Sequence, residues 1–376
     1  MEELFEESTV NPGARIKFLA LGSAACRALN YFFSQNTYIT DLCLAVDTDL
    51  RCLESLSSNL PKYCFAKNIL RGFSSGGDET LIKESFAKED NFVENFCQKL
   101  DVLVLLVGLS GGSGCGMLNA TVQKAIQTGA FVLVIPIIPF SFEGKNKGIR
   151  AQIQLKTLHS LADLVVPFYN DILFQTLPNT ATIKEAFAAG NHLLSQLLQS
   201  FFSSLTQTET GAFSCNLNDF IKHFSGKPDA VCWGYGEGKG EKAVEVALQS
   251  AMNCPALKVH VENIPSQHAF VYTNLSHDIA LTELKNLNYE LQSFLGIPDL
   301  TLLNVCHSHL SGEKEAKIFI LLSYSKMNLK TVRYRSKKQT SSEQNHVQIQ
   351  FDFEGQGIES FWDTPTYLRL GLKLEP

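Results

Sequence analysis

"VGLSGGSGCGMLNAT", residues 107–121, places five glycines between Gly108 and Gly116, with an apolar run before them and helical spacing after them. The run "VLVLLV" (102–107) is too short for a helix and rich in branched residues, so it reads as a buried strand. Met117, Leu118, Val122, Ala125 and Ile126 recur at the spacing of one helix face. A glycine-rich turn from strand to helix is where backbone N–H groups and the positive end of a helix dipole converge, the arrangement that binds phosphate. No Lys-Ser/Thr follows the last glycine, so this is not a Walker loop, and the order GGxGxG does not fit GxGxxG. A phosphate cradle and a tight turn without ligand are the two readings of the stretch taken alone.

The same alternation extends both ways. "IKFLAL" (16–21), "LCLAVD" (42–47), "FVLVIPI" (131–137) and "ADLVVPF" (162–168) read as further buried strands separated by amphipathic stretches. Repeated βαβ units predict a doubly wound parallel sheet, an α/β domain ending near residue 175. A long helix follows, "TIKEAFAAGNHLLSQLLQSFFSSLTQ", capped by Thr182 and apolar through Leu193, Leu194, Leu197, Leu198, Phe201 and Phe202. Beyond it, "DAVCWGYG", "HAFVYTN", "TLLNVCHSH" and "KIFILLSYS" read as strands, with helices around 241–253 and 280–294, making a smaller α/β unit. From Lys326 the periodicity stops in a basic, then polar, linker, and one apolar cluster, "FWDTPTYLRLGLKL", closes the chain.

Composition narrows the function classes. The chain has 376 residues, 45% hydrophobic and 19% charged, enough for two packed cores. A net charge of -6 argues against affinity built on nucleic-acid phosphates. Ten cysteines scattered singly, with no CxxC, indicate free thiols and no zinc or other metal-ligand set. The acidic, polar start "MEELFEESTVNPGA" is unlike a signal peptide, and no apolar run reaches the roughly 20 residues of a membrane span. A cytoplasmic protein without direct membrane insertion is the expectation.

"GLSGGSGCG", then "PFSFEGKNK" (139–147), "YND" (169–171) and "AFAAGNHLL" (186–194), in that order and spacing, resemble FtsZ, the bacterial tubulin-like division GTPase family. The resemblance runs from about residue 15 to 325 and resumes in the tail. It implies a tubulin/FtsZ-like fold divided as an N-terminal tail (1–14), a Rossmann-like GTP-binding domain (15–179), a central helix (180–208), a C-terminal α/β domain (209–325), a flexible linker (326–361) and an adaptor-binding peptide (362–376). It also implies head-to-tail filaments of the division ring at the future septum, with GTP, carrying Mg2+, completed into an active site by the next subunit. Residue by residue, Gly22, Ser23, Ala24, Ala25 and Arg27, then Gly76 and Gly77, then Gly108, Gly111, Gly112, Ser113 and Gly114 would surround phosphates. Glu143 and Lys147 would lie by the ribose, Asn170 would bond guanine and Phe187 would stack on it. Taken singly, Phe187 reads as core and Glu143 with Lys147 as a solvated pair.

Departures from the family bear on chemistry. The first phosphate loop of the family is a run of glycines, whereas "LGSAACRALN" keeps only Gly22, so Cβ atoms at Ser23, Ala24, Ala25 and Cys26 are expected to loosen phosphate contact, with Arg27 as a compensating cation. The third loop, "RGFSSGGDE", keeps Gly72, Gly76 and Gly77. His192 stands where the family's base-reading Asp is expected and offers one acceptor where a carboxylate offers two oxygens, which predicts weaker guanine selectivity. After the central helix the family carries two acids that reach the neighbour's phosphates. Here "NLNDFIK" gives Asn216 and Asp219 as the catalytic pair, with Lys222 at the second acid, or, shifted by one, Asn218 and Ile221.

The tail "DTPTYLR" is similar to the family's C-terminal peptide, implying an FtsA-like or other membrane-bound division adaptor as partner beside the homopolymer itself. Asp363, Pro365, Tyr367, Leu368 and Arg369 are its contact residues, with Tyr367 and Leu368 as anchors. The basic cluster from Lys330 to Lys338 reads as solvated linker. The competing expectation is a degenerate tubulin-like scaffold that polymerises or binds partners with little or no GTP hydrolysis. A dinucleotide-dependent enzyme is a third, disfavoured because no GxGxxG follows the first strand.

Overall fold

The computed structural model describes residues 14–86, 92–206, 217–224, 228, 230–257, 268–276, 278–295 and 314–324, and the backbone of 302–308. All lie in the first of the chain's two compact units, which ends at Thr331.

Strands β1 (Ile16–Leu21), β2 (Cys43–Asp47), β3 (Lys62–Cys64), β4 (Val102–Gly108), β5 (Phe131–Ile138), β6 (Leu164–Val165) and β7 (Phe168–Tyr169) form one sheet in the order β3-β2-β1-β4-β5-β6, with β7 also on β5. Every pairing is parallel. Helices α1 (Ser23–Gln35), α2 (Leu50–Glu54), α3 (Lys67–Leu70), α4 (Glu79–Phe86), α5 (Phe92–Phe96), α6 (Gly112–Gln127), α7 (Lys145–Leu161) and α8 (Leu173–Thr176) connect them. Alternate residues of β1 and β4 enter different cores: Phe18, Ala20, Val104 and Leu106 one, and Leu19, Leu21, Leu105 and Val107 the other. With both faces covered, the strands are apolar without alternation, which is what made them legible as continuous runs.

"ADLVVPF" is two short strands rather than one. Pro167 has no N–H to give the ladder, so pairing with β5 stops after Val165 and resumes at Phe168. Strand β3 was not anticipated. "KYC" carries no apolar run, yet it pairs Lys62–Cys64 with Ala45–Asp47 at the sheet edge.

Helix α9 (Ile183–Thr206) begins with a capping box. The Thr182 hydroxyl accepts from Glu185 N at 3.2 Å, and the Glu185 carboxylate accepts from Thr182 N at 2.7 Å. Its buried face carries Leu194, Leu197, Leu198, Phe201 and Leu205. Beyond it, α10 (Leu217–Phe224), β8 (Ala230–Lys239), α11 (Ala243–Met252), β9 (His268–Ser276), α12 (Leu281–Leu295), β10 (Leu302–Ser308) and β11 (Glu315–Tyr324) follow. The four strands form a mixed sheet, β10-β9-β11-β8, in which only β10 and β9 are parallel. Gly234, Gly236 and Gly238 line one face of β8, and a Cβ on any of them would stand 2.0–2.4 Å from a carbonyl oxygen of α11. That bare stripe lets α11 lie directly on the sheet.

The two sheets share one core beneath α9. Phe201 meets Phe319 at 5.3 Å between ring centroids, and Phe168 stacks near Trp233 at 6.4 Å. Phe220 of α10 packs edge-on against Phe131, the first residue of β5, at 6.1 Å. Helix α10 is thereby held at the N-terminal end of the parallel strands.

Candidate functional site

In a doubly wound sheet of this order, the crevice opens at the carboxyl ends of the strands where the order reverses, between β1 and β4. The glycine stretch sits there. Strand β4 ends at Gly108 and α6 starts at Gly112, so the turn is Leu109–Gly111. Strand β1 ends at Leu21 and α1 starts at Ser23, so two helix N-termini stand side by side over adjacent strands. The approach is close: a Cβ on Gly22 would stand 3.2 Å from Gly114 N, and Gly22 has φ +83°. Helical geometry leaves the first amides of both helices without intrahelical acceptors, and both macrodipoles point their positive ends into the crevice.

The third loop closes the cradle. Gly76 and Gly77 adopt positive φ, +62° and +90°, and a Cβ on Gly112 would stand 2.5 Å from Ser75 Oγ and 2.6 Å from Gly77 C. Arg150 of α7 donates through Nη1 to Gly77 O at 3.5 Å. Beside Gly111 and Gly76 a Cβ would meet nothing within 4 Å, so the space above both is open.

The backbone strain expected in the first loop is absent. The Cβ atoms at Ser23, Ala24, Ala25 and Cys26 do not strain the first loop, because these residues are the opening turn of α1, where φ is negative. Only Gly22 needs the left-handed region. Ala25 and Cys26 are buried and Ala24 is exposed. Arg27 is exposed, its Nε donating to Ser23 O at 3.1 Å. Burial pushes the Cys115 thiol up to about 12, which disfavours the thiolate, and its Sγ lies 3.6 Å from Gly108 O.

A second group of residues lies around Phe140. Glu143 ends a short 3-10 turn, accepting from Phe140 N at 2.9 Å and from Lys147 Nζ at 3.0 Å. Asn170 is buried after β7. Phe187, 49% exposed on α9, meets buried Phe140 edge-on at 5.8 Å. Phe142 and Phe174, 60% and 55% exposed, pack on the same ring at 5.0 and 5.6 Å. Four aromatic rings with three open faces form a stacking surface of the kind a flat heterocycle fits. Asp171 holds Ser141 N at 3.0 Å, and burial raises its carboxyl above the usual range.

His192 stands apart from this group. It is exposed, its Nδ1 3.5 Å from the Tyr31 hydroxyl of α1. The residue that shares Phe187's face, one helical turn on, is half-buried Asn191. The i, i+4 spacing from the stacking aromatic could have pointed to Asn191 in the sequence. Arg150 was also missed, though its spacing of three from Lys147 places both on one face of α7.

Asp219 is on α10 with Lys222 and His223, far from the cradle. Phe220 is pinned at Phe131, and β5 runs eight residues to Ile138, roughly 23 Å at about 3.3 Å per residue. Asn216 and the tail residues Asp363, Pro365, Tyr367, Leu368 and Arg369 lie outside the described residues. Among the described residues no three His, Cys, Asp or Glu gather as a metal site, and no helix is long and apolar enough to cross a membrane.

Residues 2–178 match the Tubulin/FtsZ family, GTPase domain. The chain is 23% identical over 344 residues to cell division protein FtsZ 1 of Pyrococcus horikoshii, covering 90% of this chain and 88% of that protein. It is 24% identical to cell division protein FtsZ of Aquifex aeolicus over 67% of each. Among solved structures, an empty FtsZ dimer from M. jannaschii superposes with a TM-score of 0.70 at 21% identity, covering 82% of this chain and 88% of the other. A GTPγS-bound protofilament of CetZ2 from Haloferax volcanii gives 0.65 at 16% identity, over 84% and 94%.

Proposed function

Because the chain is a divergent member of the Tubulin/FtsZ family and carries that family's GTPase domain at residues 2–178, we propose that it hydrolyses GTP at the junction between subunits of a head-to-tail filament that serves cell division. One observation carries this reading. The cradle lies at the carboxyl ends of the parallel strands, while α10, with Asp219, is pinned at their amino ends. Within one subunit the carboxylate cannot reach the phosphates. Stacked head to tail, each subunit offers Asp219 to the cradle of the next.

In this arrangement the amides at Ser23–Ala25 and Gly112–Gly114 hold the phosphates, with Gly76, Gly77 and Arg150 closing on the terminal one. Phe187 stacks on the base, and Asn170 and Asn191 meet its edge. Glu143 and Lys147 flank the ribose. Magnesium carried on the nucleotide would neutralise charge on the terminal phosphates and would need at most one or two protein carboxylates. Asp219 of the neighbour, assisted by Asn216, orients the attacking water, and positioning of this kind dominates phosphoryl transfer.

Lys222 favours slow turnover, because an ammonium where a second carboxylate would help orient water can offset phosphate charge but cannot position the nucleophile. Total loss of turnover is the scaffold reading. The tail, through Tyr367 and Leu368, recruits the filament to a membrane-bound adaptor at the division site. Phosphate release and electron microscopy on one sample test the proposal. Filaments with GTP-dependent release support it, filaments without release support the scaffold, and neither rejects both.

A further inference from the structure

We propose that Asp47 and Thr48, at the C-terminal end of β2, are positioning residues that clasp the three glycine-bearing loops into register for phosphate. The inference rests on the nucleotide site proposed above and assigns its supporting layer. The Asp47 carboxylate is 1% exposed, a burial that is costly unless its oxygens are satisfied. They are: Oδ2 accepts from Ser23 Oγ at 2.5 Å, and Oδ1 accepts from Thr48 N at 2.7 Å and Asp49 N at 3.4 Å. Thr48 is fully buried, its hydroxyl 2.7 Å from that of Ser113, which in turn donates to Ser75 Oγ at 3.3 Å.

Ser23 opens α1, Ser113 lies in the first turn of α6, and Ser75 belongs to the third loop. One hydroxyl from each loop therefore enters a single chain that begins and is anchored at β2. The backbone repeats the pattern: Gly22 N donates to Val46 O, and Leu50 N to Gly72 O, both at 2.9 Å. None of these side chains needs to touch phosphate for the chain to matter. The first loop keeps only one glycine of the family's run, and fixing Ser23 from below holds its amides facing the crevice.

A shared chain is lost as a unit, so its members are non-additive. The test is GTP affinity by calorimetry with magnesium present, for the full chain and for Asp47→Ala, Asp47→Asn, Thr48→Val, Ser113→Ala and the Thr48/Ser113 double variant, with the melting temperature of each nucleotide-free protein. Asp47→Ala and Thr48→Val should each weaken GTP by about tenfold. Asp47→Asn, which can still bond both Ser23 and Thr48 once the serine hydroxyl turns to accept, should recover affinity to within about threefold. The double variant should lose no more than the worse single one. If Asp47→Ala does not fold, Asp47→Asn and the Thr48/Ser113 cycle decide alone. Losses that multiply in the cycle, Thr48→Val at wild-type affinity, or Asp47→Asn falling by the full tenfold would overturn the clasp. An unmodified chain that binds no GTP would instead remove the nucleotide site itself, and the clasp with it.

Discussion

Phe220 packs edge-on against Phe131 at 6.1 Å, and this contact pins the helix carrying Asp219 to the end of the parallel sheet opposite the glycine-lined crevice. On the reading proposed above, each subunit would carry half of a hydrolytic site at either pole. An aromatic pair contributes about 0.5–1.5 kcal/mol beyond its buried area. Phe220 also meets Phe201, Phe224 and Phe270, so the helix is anchored in the shared core rather than hung on a loop.

Gly112→Val should abolish tight GTP binding. Its Cβ would stand 2.5 Å from Ser75 Oγ and 2.6 Å from the Gly77 backbone, so the third loop must move off the cradle. Overpacking of this kind costs about 1–3 kcal/mol, up to about a hundredfold in affinity. Retention of GTP on a filter assay at wild-type level would place the phosphates elsewhere.

Arg150→Ala should lower affinity for GTP more than for GDP, by about tenfold in the ratio, because Arg150 sits at Gly77 on the loop proposed to close on the terminal phosphate. Parallel titrations with the two nucleotides read it directly. Equal losses for both would make Arg150 a general electrostatic contributor.

Base selectivity separates Asn191 from His192. Asn191 shares the face of Phe187, whereas His192 turns toward Tyr31. Asn191→Ala should cut the preference for GTP over ATP by about tenfold, and His192→Ala should leave it within about threefold. Reversal of that order would restore His192 as the residue that reads the base.

Stability should fall as pH drops below the ordinary histidine value of 6.5. Burial, and next the charge of His223, hold His268 below that value, so the folded chain keeps it neutral while the unfolded chain takes up a proton. The contribution is present in full above 6.5 and is lost as pH falls toward the folded value. The groups that face it are His223, with rings 5.4 Å apart, and through that ring the carbonyl of Asp219, 2.8 Å from His223 Nδ1. Melting curves from pH 8 to 5 should flatten in His268→Phe, and an unchanged slope would place the titration elsewhere.

Much of the fold was legible because parallel strands buried on both faces are written as unbroken apolar runs, as at Val102–Gly108 and Phe131–Ile138. Edge strand β3 was not, since its pairing comes from its neighbour and not from its own pattern. The glycine loops were legible where close approach demands glycine, at Gly22 and Gly112. The supporting layer was not. Thr48 and Ser75 have no spacing that marks them, and only the folded sheet brings Ser113 between them. His192 was legible only by its place in the family's motif, and the contact it makes with Tyr31 was not, because successive helical residues point about 100° apart and nothing in the sequence says which of Asn191 and His192 faces α1.

The measurement that bears most directly on the account is phosphate release per subunit against protein concentration, for the unmodified chain and Asp219→Ala, with filaments imaged in the same samples. Junctional catalysis predicts release per subunit that rises with concentration. In Asp219→Ala release should drop at least about a hundredfold while filaments persist. Release that is independent of concentration, or undiminished in Asp219→Ala, would contradict a site shared between subunits.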